Sequence, residues 1–221
     1  MDRKLGLILL LLLLSGAALT LAAYFFGIFP FDLEVAIRLR EMESPVLEAL
    51  MGVVSLLGDG WIPVILTLAA VAACAFRGKR VEAIFVVMAT LSAGVLAGVL
   101  KVLVGRERPP AFALDPWDLF PSFNTYAYPS GHVLFFVTFF GFLAWLSWKH
   151  LAGRLRWIAI SVCAALIVLI GPSRIVLGEH WVSDVIGSYI IGTFWLIILI
   201  LLYETVLQRR SLGLAGEATA P

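Results

Sequence analysis

The stretch Gly171 to Asp184, GPSRIVLGEHWVSD, places an arginine, a histidine and an aspartate within eleven residues, where a long apolar run breaks off. His180 and Asp184 stand four apart. On a helix they would share a face, so the carboxylate could hold one imidazole nitrogen as N–H while the other meets a substrate. An imidazole oriented in this way is a nucleophile or a base. Arg174 is a permanent cation whose planar fork fits phosphate oxygens. The three types together point to phosphoryl chemistry.

Two further groups could serve the same chemistry. Lys101 and Arg108 are seven residues apart, nearly two helical turns, so they would project from one face if the helix continues to Pro109. Both readings stay open for this pair: closing on one anion, or lifting their charges to the lipid headgroups. A cation in the hydrocarbon costs about 2.5–3.5 kcal/mol on insertion scales, so Lys101, the deepest, calls for a partner. Arg106, off that face, is read as a headgroup contact. Pro129-Ser130-Gly131-His132 is the second group. Ser130 is a helix cap that would leave first-turn N–H groups and the positive dipole end facing an anion. Gly131 lets an oxygen approach the backbone, and His132 stands ready to donate a proton. Alone, this tetrapeptide would more often be an ordinary cap with an interfacial histidine.

In order, Lys101-x6-Arg108-Pro109, Pro129-Ser130-Gly131-His132 and Ser173-Arg174-x5-His180-x3-Asp184 each fall at the end of an apolar segment. This set resembles the three-part signature of the type 2 phosphatidic acid phosphatase superfamily, membrane lipid phosphatases whose site is similar to that of vanadium haloperoxidases and bacterial acid phosphatases. All signature positions match. The resemblance implies a helical bundle and metal-independent dephosphorylation without a cofactor. It would make His180 the nucleophile forming a phosphohistidine, Asp184 its orienting partner and His132 the acid for the leaving oxygen. Lys101, Arg108 and Arg174, with the Ser130 and Gly131 amides, would hold the phosphate. Glu107 and Glu179 fall at variable positions and are read as solvated loop charges. The physics agrees, since phosphate monoester hydrolysis is among the slowest uncatalysed reactions and is helped chiefly by positioned positive charge.

The elements that must position these residues are membrane spans. Of 221 residues, 62% are hydrophobic and 14% charged, and the mean hydropathy is +1.01. The apolar residues lie in long blocks, which makes this an integral membrane protein with room for about six spans of roughly 20 residues. The expected fold is all-α, a single six-span domain, with spans at about 5–29, 61–76, 81–104, 133–148, 157–171 and 185–203. The first apolar run outlasts the ~7–15 residues of a signal-peptide core and is read as a retained span. Pro30 ends it. Phe31, Val35, Leu39 and Met42 then recur at helical spacing, with Asp32, Glu34, Arg38 and Glu41 elsewhere, so Phe31 to Met42 should lie as an amphipathic helix in the headgroup plane. Ser44-Pro45 starts a short helix to about Leu57, stopped by Gly58-Asp59-Gly60. Ala111 to Tyr128, with Trp117, Phe120, Phe123, Tyr126 and Tyr128, is either an interfacial anchor or a gating loop. Cys74 and Cys163 sit in apolar runs as small hydrophobes. The tail beyond Arg209-Arg210 is small, polar and expected to be disordered.

With six spans, ten basic residues from Arg3 to Arg210 fall on one side, and the positive-inside rule makes that side cytoplasmic. The signature groups then face outward. The expected partners are a membrane lipid phosphate and the bilayer, with no nucleic acid and no metal. The function read from this is removal of the terminal phosphate from undecaprenyl diphosphate, phosphatidylglycerol phosphate or phosphatidic acid. A phosphotransferase or haloperoxidase on the same site is the enzymatic alternative. A transporter would instead set its charges in mid-span.

Overall fold

The structure, a computed structural model, describes residues 3–42, 44–109 and 125–218. Among them the chain is helical throughout its regular structure: α1 Arg3–Phe26, α2 Pro30–Met42, α3 Pro45–Leu56, α4 Ile62–Phe76, α5 Arg80–Val104, α6 Gly131–His150, α7 Gly153–Val176 and α8 Val182–Ala218. Five of these, α1, α5, α6, α7 and the Val182–Leu212 part of α8, are long and apolar enough to cross a membrane. The expected second span, α4, has only 15 residues, about 22 Å at 1.5 Å per residue against a hydrocarbon core of about 30 Å.

Local chemistry explains most of the boundaries. The Ser44 hydroxyl accepts the Leu47 N–H at 3.4 Å, with Pro45 in the first turn of α3. α5 stops at Val104 because Gly105 turns left-handed (φ 62°) and its N–H closes on the Lys101 carbonyl at 2.9 Å. The helix therefore does not reach Pro109, and Lys101 and Arg108 do not share a helical face. α7 outruns its expected end at Gly171 and passes through Pro172 to Val176. Proline leaves the carbonyl four residues back without its usual donor. The Tyr189 hydroxyl of α8 serves this place, donating to the carbonyls of Ile167 at 2.6 Å and Val168 at 3.3 Å and accepting the Gly171 N–H at 3.0 Å. The polar tail also departs from expectation, since α8 stays helical to Ala218. No proline interrupts Val182–Ala218, and Leu, Ala and Glu outnumber Gly213 and Gly216 in its last two turns.

α6 is the central helix: 56% of its apolar stretch is buried, against 6% for α1 at the edge. Its Phe142 ring packs against Phe85 of α5 and Tyr203 of α8, and Phe136 and Phe139 belong to the same buried cluster. Polar pairs tie the outer helices in, with Thr67 and Thr90 hydroxyls 2.8 Å apart and Trp195 Nε1 donating to Ser92 Oγ at 2.8 Å. At one end of the bundle Lys79 Nζ lies 2.6 Å from Nδ1 of His150, joining two basic turns. Lys101 and the signature groups lie at the other end.

There the chain leaving α5 meets the chain entering α6. Ala127 N–H donates to the Arg106 carbonyl at 2.8 Å, and Glu107 bridges Tyr126. Trp117, Phe120 and Phe123 of the expected aromatic cap lie outside the described residues. Tyr126 is at the surface, but Tyr128 is fully buried, its hydroxyl 2.9 Å from Thr20 Oγ1 of α1. Tyr128 is thus a packing residue and not an interfacial anchor. Burial first, with the charge of Asp184 adding, pushes its phenol up to about 12 against the opposing Thr20 hydrogen bond and Arg106 charge.

Candidate active site

His180 sits in the turn between α7 and α8, and not on a helix face with Asp184 as the four-residue spacing suggested. The Arg174 carbonyl makes that turn, accepting the N–H groups of Glu179 at 3.1 Å and His180 at 3.2 Å. Asp184, in the first turn of α8, reaches back and takes the Trp181 N–H on Oδ2 at 2.9 Å. The same oxygen lies 3.6 Å from His180 Nδ1, beyond a hydrogen bond. Among the described residues His180 Nδ1 has no hydrogen-bond partner, although the ring is buried. So the predicted pair is present, but as a near contact.

Three buried cations act on this imidazole. Burial first, then the positive charges of Arg108, Arg174, Lys101 and His132, push His180 well below the ordinary histidine range. Its neutral form, the one that can attack, is favoured. Lys101 and Arg174 are 3% and 2% exposed, and the Arg108 side chain is 6% exposed. Such burial decides against headgroup snorkelling for this set. Arg174 donates from Nη1 to Ser55 Oγ of α3 and from Nη2 to Glu179 Oε2. Arg108 Nη1 donates to the Glu179 carbonyl at 2.9 Å and lies 3.8 Å from its carboxylate. Glu179 is therefore not a solvated loop charge: it faces two of the three phosphate-type cations. Glu107 is exposed, though its carbonyl accepts Trp181 Nε1–H at 2.9 Å.

The second signature group comes in from α6. Ser130 caps the helix, its Oγ 3.5 Å from the Val133 N–H. Its own N–H does not face outward toward an anion; it donates to Ser188 Oγ of α8 at 2.7 Å, and Ser188 in turn donates to the Asp184 carbonyl at 2.6 Å. The expected Ser130 amide is thereby used in tying α6 to α8. At Gly131 an added Cβ would meet nothing nearer than Ala97, at 3.9 Å, so the helix start is uncrowded. His132 Nε2 lies 2.6 Å from Asp59 Oδ1, in the turn between α3 and α4. Gly58 makes room for that imidazole, because a Cβ there would fall 2.2 Å from His132 Cδ2. Asp59 is also 3.8 Å from Arg174 Nη1.

Behind His180 lies a buried ionic chain. Arg106 bonds Asp184 Oδ1 through Nη1 and Asp32 Oδ2 through Nη2, the latter at 2.6 Å. All three side chains are at most 1% exposed. Arg106 is not a headgroup contact, and Asp32 does not lie on the polar face of an interfacial helix.

A family profile described as the PAP2 superfamily matches residues 82–208, which hold all three signature groups. The chain belongs to the PAP2 superfamily. Curated relatives include the undecaprenyl-diphosphatase of Sulfolobus acidocaldarius, 33% identical over 61% of this chain and 59% of that protein. Phosphatidylglycerophosphatase B of Bacillus subtilis is 29% identical over 44% of this chain and 46% of its own. The lipid A 1-phosphatase of Rhizobium etli is 32% identical over 50% and 45%. The matches thus span about half the length of these relatives. The crystal structure of a transmembrane PAP2 type phosphatidylglycerolphosphate phosphatase from Bacillus subtilis shares the fold, with a TM-score of 0.77 over 90% of this chain and 96% of that one at 21% identity.

In this PAP2 chain, sequence reasoning missed Asp32, Arg106, Asp59 and Glu179, together with the serines at positions 55, 183 and 188. One of them carried a usable signal. Asp59 is an acid held between two glycines in a turn facing the signature end, a place where an exposed loop charge has no need of such freedom. The others sit in stretches whose pattern is that of ordinary amphipathic or loop segments.

Proposed function

We propose that this protein is a lipid phosphatase that removes the terminal phosphate of a membrane-anchored phosphate or diphosphate. What supports the reading is that Lys101, Arg108 and Arg174 are buried at the same end of the bundle as the buried His180, whose ring their charges push toward its neutral form, with Asp184 Oδ2 3.6 Å from Nδ1. In this scheme the cations bind the phosphoryl oxygens, and His180 Nε2 attacks phosphorus in line. An N–P bond forms as the bond to the leaving oxygen breaks, and His132 gives that oxygen a proton. Asp184 closes on Nδ1–H as the ring becomes positive. Water, deprotonated by His132, then displaces phosphate from the phosphohistidine and frees both imidazoles. Three cations already bring the positive charge that a metal ion would supply, so activity should survive chelators. Relatives named for undecaprenyl diphosphate, phosphatidylglycerophosphate and lipid A all point to phosphate on a lipid.

A bilayer setting fits the same scheme. The chain meets the site at Asp59 and reaches the basic end at Lys79, so α4 traverses the layer that α5 crosses in return. Counting it gives six crossings, both termini at the basic, cytoplasmic end and the site on the outer face of the membrane. α2 presents Phe31, Leu33 and Ile37 to the outside, as an interfacial helix would. Between α2 and the end of α7 runs a cavity of about 360 Å³, lined by Leu33, Ala36, Ile37, Ile175 and Leu177 and reaching His180. A lipid chain lying there would carry its phosphate to the imidazole sideways from the membrane.

The test is phosphate release by purified protein from a panel of prenyl diphosphates, phosphatidylglycerol phosphate and phosphatidic acid, with and without EDTA, beside His180→Ala. Release should fall by about 10³-fold or more in the variant, and wild-type protein should yield an acid-labile phosphoenzyme. A His180→Ala protein as active as wild type would end this reading. Phosphate passing mainly to an added alcohol would make the enzyme a transferase.

A further inference from the structure

The phosphate cradle does not account for Asp32, which lies on the first turn of α2 and is 1% exposed. Oδ1 accepts the Ser183 N–H at 2.9 Å, and Oδ2 accepts the Ser183 hydroxyl at 2.6 Å, Arg106 Nη2 at 2.6 Å and the Phe29 N–H at 3.3 Å. Arg106 also donates to Ser183 Oγ at 2.7 Å and lies 5.3 Å from the Phe29 ring centre. A carboxylate from the start of the chain is thus locked onto the first turn of the helix that holds Asp184.

Charge explains why a second carboxylate belongs there. Asp184 and Arg106 alone would form a neutral buried pair, with the carboxylate drawn toward the guanidinium and little negative charge left for His180. With Asp32 sharing the guanidinium, the cluster holds two carboxylates and one cation, a net charge of −1 at the back of the imidazole. A buried excess charge is costly unless it is well hydrogen-bonded. Here Ser183, Trp181 and Phe29 supply the bonds. The excess is worth most when the imidazole turns positive on attacking phosphorus.

We propose that Asp32 is a positioning residue for this site: through Arg106 it fixes the Asp184 carboxylate and leaves one net negative charge behind His180. The proposal rests on the reading of His180 as nucleophile.

The experiment uses full-length protein in detergent and three variants: Asp32→Asn, which keeps the shape and makes the cluster neutral; Arg106→Gln, which makes it −2; and the double variant, which restores −1. Each is assayed for kcat, KM and inhibition by inorganic phosphate, a ground-state ligand of the cations alone. Asp32→Asn should lose about 10–100-fold in kcat, with KM and the phosphate inhibition constant within about twofold of wild type. The double variant should recover at least about fivefold in kcat over Asp32→Asn. A role in packing alone predicts weaker phosphate inhibition or unfolding in Asp32→Asn, and a double variant no better than the single. Any of these results, or a wild-type kcat in Asp32→Asn, overturns the proposal. His180→Ala is run in parallel. If it is inactive while Asp32→Asn is normal, only the role of Asp32 falls; if it is active, the nucleophile itself is wrong.

Discussion

Asp59 Oδ1 lies 2.6 Å from His132 Nε2, across 73 positions of the chain. Burial works to raise the Asp59 carboxyl, but the hydrogen bond with His132 and the positive charges of His132 and Arg174 outweigh it and hold the group below its usual range. In the scheme proposed above, an ionised Asp59 at Nε2 favours the charged form of the neighbouring imidazole, the form that could give a leaving alkoxide its proton. Asp59→Asn should therefore slow hydrolysis of a lipid monophosphate by about 10–100-fold, while an aryl phosphate, whose leaving group needs no proton, should change by less than about threefold. Equal losses on both substrates would place Asp59 in phosphate binding through Arg174 and not in proton delivery.

Glu179 faces Arg174 and Arg108 with a carboxylate 26% exposed. A bound phosphate must share those cations with it. Glu179→Gln removes the competing charge, and inorganic phosphate should then inhibit about 3–10-fold more tightly, a modest effect because the carboxylate is partly solvated. Weaker inhibition in this variant would mean that Glu179 orders the arginines more than it opposes the ligand.

The displacement of His180 from its ordinary range has a sign that can be tested. Protonation disables the nucleophile, so the acid limb of phosphoenzyme formation should fall below the ordinary histidine value of about 6.5. Arg108→Gln removes one of the charges that press it down, so the limb should move toward higher pH. The unfolded chain binds a proton at His180 more readily than the native one. The associated stability is therefore complete above about pH 6.5 and is lost as pH falls from there through the folded value. Rapid-quench measurement of the phosphoenzyme against pH checks the first two statements. A limb that stays put in Arg108→Gln would show that the Arg108 charge does not set it.

Chain-local properties were legible from the residues themselves. The length of the apolar runs gives a helical membrane protein, the Ser44-Pro45 and Ser130 caps give helix starts, and residue types at the ends of apolar runs single out the His180, His132 and Lys101 groups, although the helical faces read from their spacings do not form. These are short-range physics: a cap bonds its own first turn, and a span must match the membrane thickness. What only the tertiary structure decided is which polar side chains leave water. Asp32 reads as one more charge on an amphipathic helix, yet it pairs with Ser183, 151 positions away. Arg106 and Arg108 are separated by a single residue; one ends on Asp184 and the other on Glu179, because α5 stops at Gly105 and the chain beyond is shaped by Ala127 and Trp181. Periodicity marks a polar face but carries no information about what covers it. A buried charge is tolerated only where several distant groups meet it at once, and that meeting is a property of the assembled bundle.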